Sequence, residues 1–574
     1  MSRMTQPSLK PPQYLQPRPK AVPTFSSTSI ATTPRSTTPQ FSRPSSCTRQ
    51  PSPARSSTPS DVSDRATAAL VRRVLCPHAH AGSTEPRPIN ELLPPLTSSN
   101  DIDLQLYAII AIVVKDLVQS WYGKITPDQG FVEEIVRIVA HCTTQLESRL
   151  RGVDLESLVF DELPELMENH INVYRISHQA GHPPSLFTDS RVIYHNLNPH
   201  PALSPVPNPA NPSTAKEQQD HEAQYRQLLV QGALAILLPT EDLENACLRT
   251  LVADVIADSI LGNSIGGRIC EGWFIWSIIT TFVDVVKARM APETTGEELE
   301  VGTRRRLEKF GLLSRKSKST DGKSSNHSRK SMFSSLFWRI LQYFYLAFVT
   351  ARFVIFGLVT ACSEPPRSLT TSRTPGSPIA AKVEPPFKPR PIVSFKVFPL
   401  ISDLLDVPSR MPWVSGALAL LQHQLIHGPL RVGATDGILD QYFHHLIQTH
   451  FHPPSLLPQI LQSARRILFP HSTLPPPSPS SPPPILEEEI AAVKRHAADS
   501  LLSLIPPAVC KQFFATKEPG VWRAEVEREL DVWRDAYMNR HLAYAVLELV
   551  LVRVLPELAE KSVQDLLRDR IGDI

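Results

Sequence analysis

The first pattern that could support chemistry is GNSIG, which fits G-x-S-x-G with Ser264 at its centre. In serine hydrolases this motif forms a sharp turn between a strand and a helix, which exposes the serine oxygen to substrate. Here the preceding residues follow a helical apolar period, and no strand pattern lies beside them. The motif therefore does not predict a serine nucleophile.

Two histidine-rich stretches are candidates for metal binding. CPHAH begins at Cys76 and HHLIQTHFH begins at His444, but neither has the spacing of a known zinc site with a fourth ligand. The neighbouring carboxylates Asp161 and Glu162 point apart on a helix, so they cannot flank a substrate. No phosphate-binding glycine loop occurs. We therefore predict a protein that is not an enzyme and that has no cofactor and no metal site.

Composition divides the chain into folded and unfolded parts. It has 574 residues, 56 prolines and a formal net charge of +3, and the first acidic residue is Asp61. Residues 1–63 are rich in Ser, Pro and Arg, so they bury too little apolar surface to fold. A mitochondrial transit peptide is the alternative, although its amphipathic helix is opposed by the prolines. The seven scattered cysteines, without a C-x-x-C pair, favour a reducing compartment.

The remaining apolar residues recur with the period of a helix. In FVEEIVRIVAHCTTQLESRL, for example, Phe131, Ile135 and Ile138 share one face, while Glu134 and Arg137 fall on the other. Similar runs follow throughout the chain, and no set of strands is evident. The run AYAVLELVLVRVL is apolar on nearly every side, which indicates a central position. The predicted fold class is all-α.

The stretch WYGKITPDQGFVEEI separates two of these helical runs. Trp121 and Tyr122 end the first run, Thr126 is a good N-cap for the second, and Pro127 suits a first helical position. Gln129 can complete a capping box with Thr126. We predict that these residues fix the angle between two packed helices, which is a structural role.

Three blocks together resemble the PX-associated (PXA) domain of sorting nexins: WYGKITPDQGFVEEI, DLESLVFDELPELMENHINVYRISH and LLPTEDLENACLRTLVADVIADSIL. They occur in the order and spacing of that domain. The Trp-Tyr corner, the Leu-Pro turn and the run with His170, Tyr174 and Arg175 carry the resemblance. We assign His170 and Tyr174 a structural role on this basis. The resemblance covers residues 64–295.

The last third of the chain looks like the sorting nexin C-terminal domain, through LLDVPSRMPWVSGAL and DAYMNRHLAYAVLELVL. No PX or RGS domain is found between the two ends, so the chain resembles the short fungal PXA proteins. The resemblance implies membrane traffic or lipid handling, with the two helical domains packed together around an apolar cavity that holds lipid. The headgroup-specific binding of a PX domain is not implied.

The domain organisation predicted from composition and resemblance has six parts. They are a disordered basic tail (1–63), a PXA-like helical domain (64–295) with a Pro-rich surface insertion (182–215), a basic linker (296–332), an aromatic apolar helix that contacts a membrane or lies in the cavity (333–362), a Pro-rich linker (363–395), and a sorting-nexin-C-like helical domain (396–574) with a Pro-rich insertion (471–485).

Between Gly302 and Ser331, the basic linker contains ten cations against two acidic residues, Glu308 and Asp321. Each cation near an anionic leaflet contributes on the order of 1 kcal/mol of attraction. A solvated linker and a nuclear localisation patch are the alternatives. The predicted membrane-binding cations are Arg304, Arg305, Arg306, Lys309, Arg315, Lys316, Lys318, Lys323, Arg329 and Lys330.

The aromatic apolar helix follows directly. A transmembrane helix needs roughly 20 apolar residues, whereas Arg339 and Arg352 interrupt this stretch. It can span the bilayer, lie at the interface or pack into the lipid cavity, and its aromatic residues suit the last two equally well. The predicted membrane-binding aromatic residues are Phe337, Trp338, Tyr343, Phe344 and Tyr345.

The sequence is compatible with two functions. The first is a lipid-binding or lipid-transfer protein on the cytoplasmic face of endosomal, vacuolar or endoplasmic-reticulum membranes, attached peripherally or by one segment. Its partners are anionic lipids, phosphoinositides among them, a lipid bound in a helical cavity, and trafficking proteins that the sequence does not name. The alternative is a scaffold in endosomal sorting that holds no lipid. No nucleic-acid partner is expected.

Overall fold

The protein is described here from a computed structural model, which describes residues 59–76, 88–126, 130–179, 189–290, 390–429, 431–451, 456–469 and 487–572, together with scattered residues between 340 and 359. These residues form helices joined by short turns. The part of the chain that the structure describes contains no β-strand, only an isolated bridge between Asn208 and Asn211. The predicted all-α fold class is confirmed.

The described residues of the first half (59–290) form twelve α-helices with three π-helical segments and one 3-10 turn between them. The α-helices are α1 (Pro59–Leu75), α2 (Ile89–Leu92), α3 (Asn100–Val113), α4 (Gln119–Ile125), α5 (Gly130–Leu150), α6 (Leu155–Ser157), α7 (Leu163–Ser177), α8 (Ser190–Leu197), α9 (Pro212–Leu237), α10 (Thr240–Glu244), α11 (Ala246–Asp254) and α12 (Gly272–Met290). The π-helical segments are Val114–Val118, Leu158–Glu162 and Val255–Ile269, and the 3-10 turn is Pro201–Leu203.

The second half begins with a 3-10 turn, Ile392–Ser394, and has a second one at Leu530–Trp533. Its α-helices are α13 (Val397–Leu404), α14 (Val407–Arg410), α15 (Pro412–His427), α16 (Ile438–Phe451), α17 (Leu456–Leu468), α18 (Glu487–Leu504), α19 (Pro507–Phe513), α20 (Pro519–Glu529), α21 (Ala536–Val554), α22 (Glu557–Glu560) and α23 (Val563–Ile571).

The two halves share hydrophobic clusters, of which the one around Trp276 and Trp533 is the clearest example. Helix α12 packs along α18, and α13 packs along α7. Trp276 on α12 is buried among residues of the second half, and its indole N–H donates to the Leu530 carbonyl at 3.1 Å. Ile171 on α7 lies in the same cluster with Leu400. The predicted packing of the PXA-like helices against the C-terminal helices is therefore confirmed.

Helix α21 of the second half also packs against several elements of the first half. It contacts α5, α7, α8 and the π-helical segment Val255–Ile269 of the first half. Met538 and Tyr544 are fully buried in its first turns, whereas Val552 near its end is 41% exposed. In the run AYAVLELVLVRVL, which begins at Ala543, Tyr544, Val554 and Leu555 are buried and most residues between them are partly covered, so the predicted central position is confirmed only in part.

The prediction that the Pro-rich stretch 182–215 is a surface insertion is partly wrong. Tyr194 on α8 and Leu203 in the 3-10 turn are fully buried, and Tyr194 packs between Val173 and Met538. Prolines here shape turns that bring two large apolar side chains into the core. The end of the Pro-rich linker also packs, since Phe395 is only 1% exposed.

The helix corner after α4 is described only in part. Thr126 is the C-cap of α4, and the Tyr122 ring lies 4.9 Å from the Phe131 ring at the start of α5. The side chain of Trp121, Pro127 and Gln129 lie outside the described residues, so the capping box and the role of the tryptophan stay predictions. The apolar face of α5 is wider than expected, because Val132 and Val136 are its most buried residues.

Within the described residues, no single helix is long and apolar enough to cross a membrane. One pair, Ala246–Ile269 followed by Gly272–Lys287, has sufficient length and hydropathy together but is bent by 86°.

The shared core leads to a truncation test. Expressed alone, residues 390–574 should not fold cooperatively, because Leu530 and Trp533 would lose the apolar partners that α7 and α12 supply. We expect aggregation, or a broad denaturation profile, where the whole chain gives a sharp one. A soluble, monomeric fragment with a cooperative urea transition would show instead that the second half has a core of its own.

Candidate functional site

The first candidate site is a cluster of histidine and tyrosine rings between the halves. His170 on α7 is 1% exposed, its Nδ1 lies 2.8 Å from the Tyr194 hydroxyl, and its ring stacks on Trp533 at 5.0 Å. Burial lowers the pKa of His170 to about 4 and raises the pKa of Tyr194 to about 12. Both side chains are therefore uncharged at neutral pH and act as packing groups.

His541 on α21 lies at the centre of this cluster. It is 1% exposed, and its ring centroid lies 5.3 Å from that of His195 and 5.1 Å from that of Tyr537. Neither ring nitrogen of His541 has a hydrogen-bond partner among the described residues. Burial, together with the neighbouring imidazoles of His195, His200 and His170, lowers the pKa of His541 to about 3. We use the name His–Tyr cluster for the rings of His170, Tyr194, His195, His200, Tyr537 and His541.

A buried ion cluster adjoins the His–Tyr cluster. Glu222 and Arg226, one turn apart on α9, are 2% and 8% exposed and pair at 3.1 Å. The Glu222 carboxylate also accepts hydrogen bonds from the Tyr544 hydroxyl at 2.8 Å and from Arg540 at 3.4 Å, both on α21. Gln218 supplies another donor at 2.9 Å. This carboxylate therefore joins α9 to α21 through charged hydrogen bonds.

The glycines of GNSIG lie against this ion cluster. They lie in the π-helical segment Val255–Ile269, where a Cβ on Gly262 would come within 3.3 Å of the Arg226 guanidinium. The Gly266 carbonyl accepts a hydrogen bond from Arg540 at 2.7 Å. Ser264 lies within a helix, so the strand–turn–helix arrangement of a nucleophile is not present at this motif.

The other chemical candidates from the sequence link the two halves. Asp161 is buried and accepts from the Lys396 backbone N–H at 3.0 Å, while Glu162 pairs with Arg553 at 2.8 Å. His444 contacts Glu156 at 2.6 Å. Among the described residues, no group of three or more His, Cys, Asp or Glu side chains can hold a metal ion. His78, His80 and His452 lie outside the described residues, as does the side chain of His450.

A charged cavity of about 720 Å³ opens beside the His–Tyr cluster, and we call it the interface cavity. It lies where α7 ends and where α12 and α21 begin, with side chains from α8 and from the end of α20 along its walls. The lining residues are Tyr174, His178, Arg191, Glu271, Arg528, Asp531, Arg534, Asp535 and Ala536. Burial and nearby Asp531 raise the pKa of Tyr174 to about 12. Most of these side chains are charged, so the interface cavity is not suited to acyl chains.

Most predicted membrane-binding residues cannot be placed. The ten cations of the basic linker, with Phe337, Trp338 and Tyr343, lie outside the described residues. Phe344 and Tyr345 are helical and are 72% and 67% exposed. Other apolar residues of this stretch, such as Phe348, are also largely exposed.

The sequence analysis named His170 and Tyr174 as structural residues, but it missed Glu222, Arg226 and Arg540. The only signal in the sequence was an acidic and a basic residue one turn apart on a helix, and such pairs are usually solvated. Arg540 is distant in sequence, so its contact with Glu222 required the fold.

Comparison with known protein families identifies one domain in the first half of the chain. Residues 99–282 match the PXA domain family, so the chain contains a PXA domain that runs from α3 into α12. The chain is 31% identical to PXA domain protein 1 of Schizosaccharomyces pombe over 160 residues, which is 27% of this chain and 30% of that relative.

Sorting nexin-13 is also similar. The Homo sapiens protein is 23% identical over 175 residues, which is 29% of this chain and 17% of the relative. The Mus musculus protein is 27% identical over 84 residues, which is 15% of this chain and 9% of the relative. The similarity thus spans less than a third of the length of these relatives. No solved structure matches the chain.

The ion cluster predicts a large stability loss on truncation of its arginine. Arg226→Met should lower the free energy of unfolding by about 3–5 kcal/mol, because it leaves the Glu222 carboxylate buried with weaker compensation. Urea unfolding measures this. The control is Arg137→Met, whose exposed pair with Glu134 should change stability by no more than about 1 kcal/mol. Equal, small losses in both variants would mean that Glu222 is not held by Arg226.

The His–Tyr cluster predicts acid sensitivity. With folded pKa values of about 4 and about 3, His170 and His541 stay neutral in the folded state, while the unfolded chain binds protons below pH 6.5. Stability is therefore complete above pH 6.5 and falls as the pH drops toward 4. When the pH is lowered from 7 to 5.5, each of these histidines should reduce the free energy of unfolding by about 1 kcal/mol.

Urea unfolding at both pH values checks this acid sensitivity. His541→Phe should remove about 1 kcal/mol of the loss, because one proton-binding group is gone, while His170 and His195, whose pKa burial also lowers, remain. His496→Phe, at an exposed position on α18, is the matched control and should leave the loss unchanged. A pH dependence identical in wild type and His541→Phe would contradict the assignment to this cluster.

Proposed function

We propose that this protein is a non-enzymatic, lipid-binding or lipid-transfer protein that acts in membrane traffic at endosomal, vacuolar or endoplasmic-reticulum membranes. The observation that carries the proposal is the PXA domain at residues 99–282, together with the similarity to sorting nexin-13. The proposal includes a sorting-nexin-C-like second half without a PX or RGS domain between, as in short fungal PXA proteins.

Exposed apolar residues support contact with a membrane. Ile340, Phe344, Tyr345, Phe348 and Phe356 are all more than half exposed on helical backbone. Apolar surface of this kind on a soluble protein marks a site for a partner or a membrane. The basic linker precedes it directly in sequence, and a polybasic segment beside aromatic residues is typical of attachment to an anionic leaflet.

The partly covered half of α21 supports the proposed lipid-holding role. Leu547, Val550 and Leu551 pack against residues of both halves without being fully buried, and Val552 is 41% exposed. Leu547, Val550 and Leu551 leave partly covered apolar surface that suits an acyl chain, whereas Val552 stands one turn after the partly exposed Glu548. The alternative, a scaffold for endosomal sorting without bound lipid, differs in one measurable respect. Mass spectrometry of an organic extract of the purified chain should find a stoichiometric lipid only if the lipid-binding proposal is right.

Membrane attachment should have two separable contributions. Attraction by the ten cations of the basic linker should weaken as salt rises, because the Debye length falls from about 30 Å at 0.01 M to about 8 Å at 0.15 M. Replacing all ten by Gln should abolish the salt dependence of flotation with phosphatidylserine-rich vesicles and leave residual binding. Equal flotation of the wild type with neutral vesicles at every salt concentration would refute the electrostatic part.

The residual, salt-insensitive binding should come from the aromatic apolar helix. Phe344→Ser with Tyr345→Ser should reduce it by roughly tenfold or more, since burial of one large apolar side chain contributes about 1.5–3 kcal/mol. Leu228→Ser is the matched control, because Leu228 is 60% exposed on α9, outside this stretch. If the control lost as much binding as the aromatic variant, the assignment of the contact to residues 333–362 would be wrong.

A further inference from the structure

Helix α15 is apolar, yet none of its residues, all of which the structure describes, is buried. Trp413 and Leu420 are 74% and 67% exposed. They stand seven positions apart and therefore lie on one side of the helix, with Gly416 and Ala417 between them. A Cβ on Gly416 would meet no atom within 4 Å, so the strip between the two large side chains is open. We call these four residues the α15 face.

The charged groups near the α15 face are engaged inside the fold. Residues 397–427 contain three charged side chains, and none of the three is on α15. Arg410 pairs with Glu525 at 2.8 Å, while Asp403 and Asp406 accept hydrogen bonds from neighbouring side chains. A helix that binds a bilayer surface usually carries Lys or Arg on a polar face. The distribution of charge therefore favours an uncharged apolar partner over an anionic membrane.

The aromatic apolar helix (333–362) supplies such a partner within the same chain. Phe344 and Phe348 are both more than half exposed on helical backbone. They are one turn apart, so their rings lie on the same side of the helix. Between residues 340 and 359 the sequence has one charged residue, Arg352. Two large rings on one helix thus match the open strip that small residues leave on the other.

The chain that follows this aromatic helix enters the fold beside α15. Residues 360–389 lie outside the described residues, and Arg390 leads into the 3-10 turn Ile392–Ser394. That turn contacts α15, where the Gln422 side chain donates to the Val393 carbonyl at 2.7 Å. Thirty residues can span up to about 100 Å. A tether of this kind gives the two surfaces a local concentration on the order of millimolar, which favours the helix of the same chain over a second copy.

We propose that the α15 face binds the aromatic apolar helix of the same chain through Phe344 and Phe348, and that this contact competes with attachment of that helix to a membrane. The contact is inferred from the two apolar surfaces and their tether, whereas the competition rests on the proposed function. Without a membrane, mutual burial removes both surfaces from water. With a membrane, the same two rings exchange the α15 face for the bilayer.

Photo-crosslinking of the full chain without vesicles tests the contact. The variant Leu420→p-benzoylphenylalanine should cross-link to peptides of residues 333–362 within the monomer, as mass spectrometry identifies them. The control is Leu228→p-benzoylphenylalanine on α9, where the native side chain is 60% exposed, and it should give at least tenfold less of this product.

Two further comparisons separate a specific contact from simple tethering. Phe344→Ser with Phe348→Ser should reduce the cross-link at position 420 at least tenfold, although the tether is unchanged. Both side chains are exposed, so the fold should be unaffected. Equal yields at positions 420 and 228, no product at position 420, or product in covalent dimers alone would overturn the contact.

Vesicle flotation tests the competition. Trp413→Ser with Leu420→Ser should increase flotation with neutral phosphatidylcholine vesicles roughly threefold or more, because the aromatic helix loses its alternative partner. Leu228→Ser is the control and should leave flotation unchanged. Unchanged flotation in the α15 variant would overturn the competition, and reduced flotation would mean that the α15 face itself meets the bilayer, which would overturn the contact as well. If neither the wild type nor a variant binds vesicles, the competition fails with the proposed function, while the cross-linking result decides the contact independently.

Discussion

The contact between the Glu222 carboxylate and Arg226, Arg540 and Tyr544 is the constraint on which the rest of the structure depends. Both members of the α9 pair are nearly fully buried, so each charge requires its partner. Because two of the donors stand on α21, the pair fixes that helix against the PXA helices. The position of α21 in turn places Tyr537 and His541 in the His–Tyr cluster and Asp535 at the rim of the interface cavity.

This arrangement explains why hydrophobic clusters extend over two parts of the chain that are distant in sequence. Apolar burial supplies most of the stabilisation but is non-directional, so it does not specify how two helical halves meet. Charged hydrogen bonds are directional, and an unpaired buried charge is strongly unfavourable. The buried pair, with the link from Asp161 to the Lys396 backbone, therefore selects one way of docking the halves.

Much of the helical fold could be predicted from the sequence, because it follows from local periodicity. The contact of the halves was predicted correctly for this reason, and the central position of AYAVLELVLVRVL was correct in part. The errors arose where composition was used instead of periodicity: prolines around Tyr194 and Leu203 indicated a surface loop, yet both side chains are fully buried. The ion cluster and the interface cavity could not be predicted, since Glu222 and Arg540 are brought together only by tertiary packing.

The proposed membrane attachment would combine two interactions that act over different distances, namely Coulombic attraction and apolar burial. Coulombic attraction from the basic linker acts over a Debye length, about 8 Å at physiological ionic strength, so it would act before contact with a membrane. Burial of Phe344 and Tyr345 requires direct contact and then retains the protein independently of salt. The charges of the ion cluster are already paired inside the fold, and they contribute nothing to such an approach. The paired charges inside the fold govern its architecture, so a change in salt should preserve the docking of the two halves, whereas it should alter the proposed membrane attachment by the basic linker.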